Sequence, residues 1–165
     1  MAKKIYVNNL NMTYSLNSTI ISSGQIIKKA VILCHGYGGD GKDISIIANY
    51  WKNFLPNTLF ISPDAPETCK VNPSGFQWFD LMDQTPEQIL SKSLVAENKL
   101  NKLIDEVKEK YNLKANKIII GGFSQGCMIT LQTGIKRSDT INSVVGYSGR
   151  IISTVHLSKN IISRP

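Results

Sequence analysis

The chain has 165 residues, 42% of them hydrophobic, which suits one globular domain spanning residues 1–165. Its net charge of +7 comes from lysines scattered among Asn, Ile and Glu, which argues against the dense basic patch of a nucleic-acid-binding protein. No apolar run reaches the roughly 18 residues that span a bilayer, and no apolar stretch follows the N-terminal lysines, so we expect neither a transmembrane segment nor a secretory signal.

Two kinds of segment alternate along the chain. Apolar, β-branched runs predict strands at residues 30–35, 58–62, 117–120 and 143–147. Apolar residues at helical spacing predict helices at residues 44–55, 100–111 and 128–135. Thr85, Pro86 and Gln88 are typical of a helix start, as N-cap, first helical residue and capping-box partner. Such alternation predicts an α/β fold with a mostly parallel sheet and helices on both faces.

The third predicted strand leads into a Gly-x-Ser-x-Gly motif at residues 122–126, which a helix follows. In such a motif the serine, here Ser124, stands on a strained strand-to-helix turn, and the flanking glycines remove Cβ atoms that would clash. The turn also places Ser124 near a helix N-terminus, which favours developing negative charge. The motif alone is weak evidence, but the strand before it and the helix after it make Ser124 the predicted nucleophile.

A second glycine-rich turn, residues 36–41, follows the first predicted strand. In a serine hydrolase this turn supplies one backbone N–H of the oxyanion hole, and the residue after the nucleophile, Gln125, supplies the other. From Gly36 to Lys42 the sequence is also one residue short of a nucleotide-binding P-loop, because Asp43 stands where a magnesium-binding Ser or Thr is required. The missing hydroxyl and the nearby carboxylates leave nucleotide binding as a distant alternative.

Four segments together resemble a known family: residues 31–39, 62–66, 78–80 (Trp-Phe-Asp) and 120–126, which contain Gly-Gly-Phe-Ser-Gln-Gly. They are similar to the carboxylesterase/phospholipase group of α/β-hydrolases, which includes the acyl-protein thioesterases, from about residue 28 onward. The resemblance implies a serine hydrolase of carboxylic esters or acyl thioesters that needs no cofactor and no metal. It implies Ser124 as the nucleophile, the backbone N–H groups of Tyr37 and Gln125 as the oxyanion hole, and the loop containing Trp78 as the lining of the acyl site.

The sequence departs from the family pattern in two places. The family commonly has glycine where this chain has the larger Cys127, next to the elbow. The family also continues with strands that lead to the triad acid and base, whereas this sequence ends at Pro165. We therefore expect an incomplete α/β-hydrolase domain that lacks its C-terminal strands, in which residues 143–147 form a sheet edge.

Neither histidine is predicted to replace the general base. His35 precedes the serine, against the hydrolase chain order, and suits a ring that hydrogen-bonds the turn. His156 follows the fourth strand and could return to the top of the sheet, but it would lack a carboxylate partner, and we expect it at the surface. Asp139 follows the helix behind Ser124 and is expected about 18 Å away, at the bottom of the sheet.

The expected function is hydrolysis of carboxylic esters or acyl thioesters through an acyl-enzyme, weakened by the absence of the triad acid and base. Two alternatives stay open, a catalytically inactive remnant and a non-catalytic binding protein. The expected partners are a small acyl ester or thioester substrate and a separate C-terminal fragment, but no nucleic acid. Three cysteines without metal-ligand spacing, Cys34, Cys69 and Cys127, predict reduced, packed thiols in a cytoplasmic protein.

Overall fold

A computed structural model describes residues 14–82 and 84–165. Its centre is a five-stranded sheet in which one edge strand is antiparallel to its neighbour and all other neighbouring strands are parallel. The predicted α/β fold with a mostly parallel sheet is therefore confirmed. The strands of this sheet are β1 (Ser18–Ser22), β2 (Lys29–Cys34), β3 (Thr58–Pro63), β6 (Ile118–Phe123) and β7 (Ser143–Tyr147). They lie side by side in the order β1-β3-β2-β6-β7, and β1 is the antiparallel strand. A small antiparallel hairpin consists of β4 (Glu67–Thr68) and β5 (Phe76–Gln77).

Five α-helices accompany the sheet in the described part of the chain. They are α1 (Gly41–Ile44), α2 (Ile46–Trp51), α3 (Pro86–Tyr111), α4 (Gln125–Gly134) and α5 (Thr154–Asn160). The single helix predicted at residues 44–55 is wrong, because two short helices meet at Ser45 and the second ends at Trp51. The Ser45 hydroxyl donates to the carbonyl of Lys42, a local hydrogen bond of the kind that interrupts a regular helix.

The start of α3 follows the predicted capping pattern. Thr85 accepts a hydrogen bond from the backbone N–H of Gln88, the Gln88 side chain accepts one from the N–H of Thr85, and Pro86 occupies the first turn. At the other end Asn112 adopts the left-handed conformation that commonly closes a helix. These caps stabilise a 26-residue helix that covers one face of the sheet.

The two faces of the sheet are covered unequally. Successive side chains of a strand point to opposite faces, so Ile32 and Cys34 join the large core with α3 and α4. Val31 and Leu33 point the other way, into a smaller cluster beside α1 and α2. The second face is therefore covered mainly by two short helices.

Strand β7 lies at one edge of the sheet and, within the described residues, pairs only with β6. The prediction of an edge at residues 143–147 is confirmed. After β7 the chain passes through α5 and returns to α4, where the N–H groups of Ile162 and Ser163 donate to the carbonyl of Ile135. The last residues thus pack at the C-terminal end of α4, away from Ser124.

Candidate active site

Ser124 lies between the last residue of β6 and the first of α4, in a backbone conformation with φ 53° and ψ −114°. This region is unfavourable for residues that carry a Cβ atom and costs about 1–3 kcal/mol. The Ser124 N–H donates to the carbonyl of Tyr147 on the neighbouring strand at 2.8 Å. The surrounding sheet therefore holds Ser124 on a sharp strand-to-helix turn.

The glycines on either side of Ser124 are sterically required. A Cβ atom on Gly122 would lie less than 3.0 Å from the carbonyl oxygen of Gly126, and one on Gly126 would lie equally close to the carbonyl of Cys34. Cβ atoms in proteins do not approach backbone atoms so closely. The turn can therefore form only with glycine at both positions.

The second glycine-rich turn meets the elbow at the carboxyl ends of β2 and β6. These strands are neighbours, with Cys34 opposite Gly122. A Cβ atom on Gly36 would lie 3.3 Å from the Cβ of Ser124, in tight contact. Two motifs that are almost 90 residues apart in the sequence are thus brought together. Tyr37 comes directly after Gly36, and Gln125 comes directly after Ser124.

Strand β5 braces the second turn through its backbone. The N–H of Gly38 donates to the carbonyl of Phe76, and the N–H of Phe76 donates to the carbonyl of Gly39. The ring of Tyr37 is half-buried beside the thiol of Cys69, and burial raises the pKa of the Tyr37 hydroxyl. The turn that carries the Tyr37 N–H is therefore held by β5 directly after that residue.

His35 is buried and bound through both ring nitrogens. Its Nε2 accepts a hydrogen bond from the Ala65 N–H at 2.9 Å, and its Nδ1 lies 2.7 Å from the carbonyl oxygen of Gly36. Burial lowers the pKa of His35, although the hydrogen bond to Gly36 opposes this shift. Since neither nitrogen is free, the ring holds the turn, as the sequence predicts, and is not available as a general base.

The expectation that the loop containing Trp78 lines the acyl site stays a prediction, but the position of the Trp78 side chain is clear. Its side chain is 0% exposed, and its Nε1–H donates to the carbonyl of His35 at 3.0 Å. The Gln125 side chain accepts from the N–H of Trp78 at 2.9 Å and donates to the carbonyl of Phe79 at 2.6 Å. The Trp78 side chain is therefore fully enclosed, and it anchors its loop to both glycine-rich turns.

An apolar cavity of about 720 Å³ opens on the thinly covered face of the sheet, next to the Gly36–Tyr37 peptide. Its walls come from the sheet, from the glycine-rich turn after β2, and from α1 and α2. They include Leu33, Ile47, Trp51, Phe123, Val145 and Tyr147. Sequence reasoning missed this cavity, because its shape depends on how far α1 and α2 extend over the sheet.

Residues 16–164 match the sequence profile of the phospholipase/carboxylesterase family. The chain belongs to this family. It is 33% identical over 146 residues to acyl-protein thioesterase 1 of Schizosaccharomyces pombe, which covers 84% of this chain and 63% of that protein. It is 31% identical over 134 residues to acyl-protein thioesterase 1 of Saccharomyces cerevisiae, covering 76% of this chain and 59% of that protein.

Solved structures agree with this family assignment. The crystal structure of esterase PE8 has a TM-score of 0.85 at 31% identity, and the match covers 91% of this chain and 71% of that protein. Acyl-protein thioesterase 2 of Zea mays, at 21% identity and a TM-score of 0.56, shares the fold. This member of the carboxylesterase family spans less than two thirds of the length of each of the two yeast relatives.

The remaining candidate acid and base of this carboxylesterase-family chain lie far from Ser124. The Nε2 of His156 is 3.3 Å from the Nζ of Lys136, which follows the C-terminal end of α4. With ten residues at 1.5 Å each, that end is about 15 Å from Ser124. The idea that His156 could return to the top of the sheet is therefore wrong.

Asp139 lies at the same end, where Arg137 and Lys108 bind its carboxylate. Burial would raise the pKa of Asp139, but these two cations more than offset it and lower the pKa. Its predicted position at the bottom of the sheet agrees with the structure. Asp139 serves there as an ion-pair partner.

The P-loop-like turn of this carboxylesterase-family chain is occupied by its own carboxylates. Asp40 accepts a hydrogen bond from the N–H of Asp43 at 2.7 Å, and Asp64 accepts one from the N–H of Gly41 at 2.9 Å. A phosphate would have to displace these carboxylates and would meet their negative charge. The geometry disfavours nucleotide binding at this turn.

Possible metal ligands, membrane-spanning helices and cysteines also bear on the expectations from the sequence. Among residues 14–82 and 84–165, no group of three His, Cys, Asp or Glu side chains could hold a metal ion. In the same part of the chain, no helix has both the length and the apolar character that crossing a membrane requires. Cys34, Cys69 and Cys127 are all buried and unpaired, in agreement with the predicted packed thiols.

Proposed function

We propose that this protein is a serine hydrolase of carboxylic esters or acyl thioesters and that Ser124 is its nucleophile. One observation carries the proposal: Ser124 holds a strained backbone conformation at the end of a central strand, so near the glycine turn that a Cβ atom on Gly36 would lie 3.3 Å from the Cβ of Ser124. Strain of this kind persists only where the surrounding structure enforces it, and it clusters at functional sites.

The reaction would proceed in two steps. The Ser124 Oγ forms a bond to the acyl carbon, the bond from that carbon to the alcohol oxygen or thiol sulfur breaks, and the leaving group takes up the serine proton. Water then attacks the acyl-enzyme, which releases the carboxylic acid and restores the serine hydroxyl. Each step passes through a tetrahedral intermediate with a negatively charged oxygen.

The backbone N–H groups of Tyr37 and Gln125 are the proposed donors to that oxygen. Gln125 is the first residue of α4, and the first N–H groups of a helix have no partner within the helix. Tyr37 follows Gly36, where an added Cβ atom would lie 3.3 Å from the Cβ of Ser124. A single donor of this kind is worth about 3–4 kcal/mol in the transition state.

The proposed substrate class follows from the relatives, since those from both yeasts are acyl-protein thioesterases. We propose that a polypeptide outside this sequence, such as a separate C-terminal fragment, supplies the general base and its acid. Both histidines of the chain are accounted for: His35 is bound at both nitrogens and His156 lies at the far end of α4. The isolated chain should therefore hydrolyse p-nitrophenyl esters slowly, with only the roughly 10³–10⁴-fold acceleration over water that remains without a complete triad.

Labelling with a fluorophosphonate tests the proposal. Because no histidine of this chain is free to act as base, the probe should modify Ser124 slowly, as mapped by peptide mass spectrometry after long incubation, and Ser124→Ala should abolish the labelling. Ser148→Ala is the matched control, because Ser148 is exposed and also has a φ of 53°. Labelling that persists in Ser124→Ala would refute the assignment of the nucleophile. Ester turnover at ordinary enzymatic rates would instead show that a base is present within this chain.

A further inference from the structure

The hydrogen bonds of His35 define its tautomer. Because Nε2 accepts a hydrogen bond from the N–H of Ala65, the proton of the neutral ring must be on Nδ1. The Nδ1–H therefore donates to the carbonyl of Gly36 at 2.7 Å. Ala65 thus selects the tautomer that can bind Gly36.

The Gly36 carbonyl and the Tyr37 N–H belong to the same peptide unit. This unit is planar and trans, so its C=O and N–H point in opposite directions. A group that fixes the direction of the carbonyl also fixes the direction of the N–H. We propose that His35 is a positioning residue, which aims the Tyr37 N–H at the oxyanion; this inference rests on the function proposed above.

Further hydrogen bonds connect His35 to both proposed donors. The Gly36 carbonyl also accepts from the N–H of Gly39 at 3.1 Å, so two donors hold it. Trp78 donates to the carbonyl of His35, and the Gln125 side chain binds the N–H of Trp78. His35 is therefore the shared support of the Tyr37 turn and of the residue that carries the second oxyanion donor.

The charged groups around His35 would favour its protonation, and burial opposes it. Asp64, Asp40 and Asp43 raise its pKa, but the cost of burying a charged ring is larger, so the net shift is downward. Protonation would place a second N–H on Nε2, facing the N–H of Ala65. The neutral ring is thus the form that fits the site.

Two substitutions separate the functions of the two ring nitrogens. The side-chain nitrogen of asparagine can take the place of Nδ1, so His35→Asn keeps a donor near the Gly36 carbonyl. The longer side chain of His35→Gln reaches toward Ala65 and does not replace that donor. The readout is the fluorophosphonate reaction, in which the Ser124 Oγ displaces fluoride from phosphorus and the hydroxyl proton passes to water.

We expect His35→Gln to lower the maximal labelling rate, kinact, about tenfold with little change in KI. This loss in kinact is smaller than the roughly 10²–10³-fold loss in rate that follows removal of a whole oxyanion donor, because the Tyr37 N–H is still present. His35→Asn should recover most of that rate. Equal losses in the two variants, or no loss in either, would overturn the positioning role while leaving the proposed function intact. Absence of Ser124 labelling in the wild type, even after long incubation with excess probe, would overturn the proposed function and this inference with it.

A measurement on the wild-type chain covers the case in which the variants fail to fold. Nitrogen-15 NMR of the histidine rings reports the tautomer directly, and the chain has only two histidines, which His156→Gln distinguishes. We expect His35 to be neutral and protonated at Nδ1 at a pH equal to the ordinary histidine pKa of about 6.5. A ring protonated at Nε2 would overturn the inference whatever the variants do.

Discussion

Ser124 combines a positive φ with a side chain that disfavours it. Glycine adopts this region without penalty, whereas alanine retains the Cβ atom that causes the strain. Ser124→Gly should therefore raise the free energy of unfolding by about 1 kcal/mol, after the greater flexibility of the unfolded chain is deducted. Ser124→Ala should leave it nearly unchanged. Chemical denaturation of the two variants measures the difference, and equal stability would show that the turn stores no strain.

Gly122 and Gly121 are adjacent on β6 but differ in their surroundings. A Cβ on Gly122 would overlap the backbone of the turn, whereas one on Gly121 would meet Leu33 at 3.5 Å, an ordinary contact. Gly122→Ala should lower the free energy of unfolding by about 2–3 kcal/mol, and Gly121→Ala by less than about 1 kcal/mol. Thermal unfolding of the matched pair tests this, and similar losses at both positions would contradict the steric requirement.

The elbow could be predicted from sequence because its steric demands are local. Ser124 and its glycines lie within five residues, and the required conformation leaves few other residue types. The location of Trp78 could not be predicted in this way. Its burial depends on Gln125, which is 47 residues away, and on the carbonyl of His35, which is 43 residues away. No pattern around Trp78 contains that information.

At the scale of elements, Asp80 ties the segment after β5 to its neighbours. Its carboxylate is 3% exposed and lies 2.5 Å from the Nζ of Lys70 and 3.5 Å from the Nζ of Lys92 on α3. It also accepts a hydrogen bond from the N–H of Met82. The bond to Lys70, followed by the bond to Met82, lowers the pKa of Asp80 although burial opposes the shift.

A carboxyl group whose pKa is lower in the folded than in the unfolded state stabilises the folded protein. This stabilisation is complete above the unfolded-state aspartate pKa of about 3.9, and it is lost as the pH falls through the folded-state pKa. Asp80→Asn should therefore be less stable than the wild type at pH 7, and the difference should shrink below about pH 3.9. Denaturant unfolding of both proteins at a series of pH values tests this. A constant difference down to pH 2.5 would show that the charge of Asp80 does not contribute.

The elements that sequence reasoning missed are short and depend on their neighbours. Strand β1 is a five-residue edge strand with partly exposed side chains, and β4 and β5 have two residues each. Helix α5 has seven residues, and one local signal could have found it, since Ser153 accepts a hydrogen bond from the N–H of His156 as an N-cap does. The buried strands and the capped helix α3 were predictable because their patterns are long or specific.

For the whole molecule, the alternation of strands and helices was enough to predict the fold, and the family resemblance was needed to predict the edge at β7. It was not enough to show how completely each face is covered. That depends on the lengths of α1 and α2, which together span fewer residues than half of α3. The result is an open apolar surface, which we call the groove, formed by exposed residues that line the cavity: Ile46, Ile47, Trp51, Phe123, Val145 and Tyr147.

The groove and the β7 edge are continuous, because Val145 and Tyr147 belong to both. An unpaired strand edge is a template for pairing with another chain, and exposed apolar side chains beside it strengthen the association. The β7 strand carries no charged residue and no proline that would oppose pairing. We therefore expect the isolated 165-residue chain to self-associate through this surface.

Sedimentation velocity of the purified chain tests this expectation, with Val145→Lys and Val71→Lys as a matched pair. Val145 lies on β7 within the groove, whereas Val71 is exposed in the β4–β5 connection and is not a lining residue of the cavity. Both variants add one positive charge, so a general effect of charge on solubility should appear equally in each. Because a lysine on an edge strand opposes pairing, Val145→Lys should shift the chain toward monomer while Val71→Lys should not. A wild-type chain that sediments as a monomer at all concentrations, or an equal response of the two variants, would show that the groove is not a surface of association.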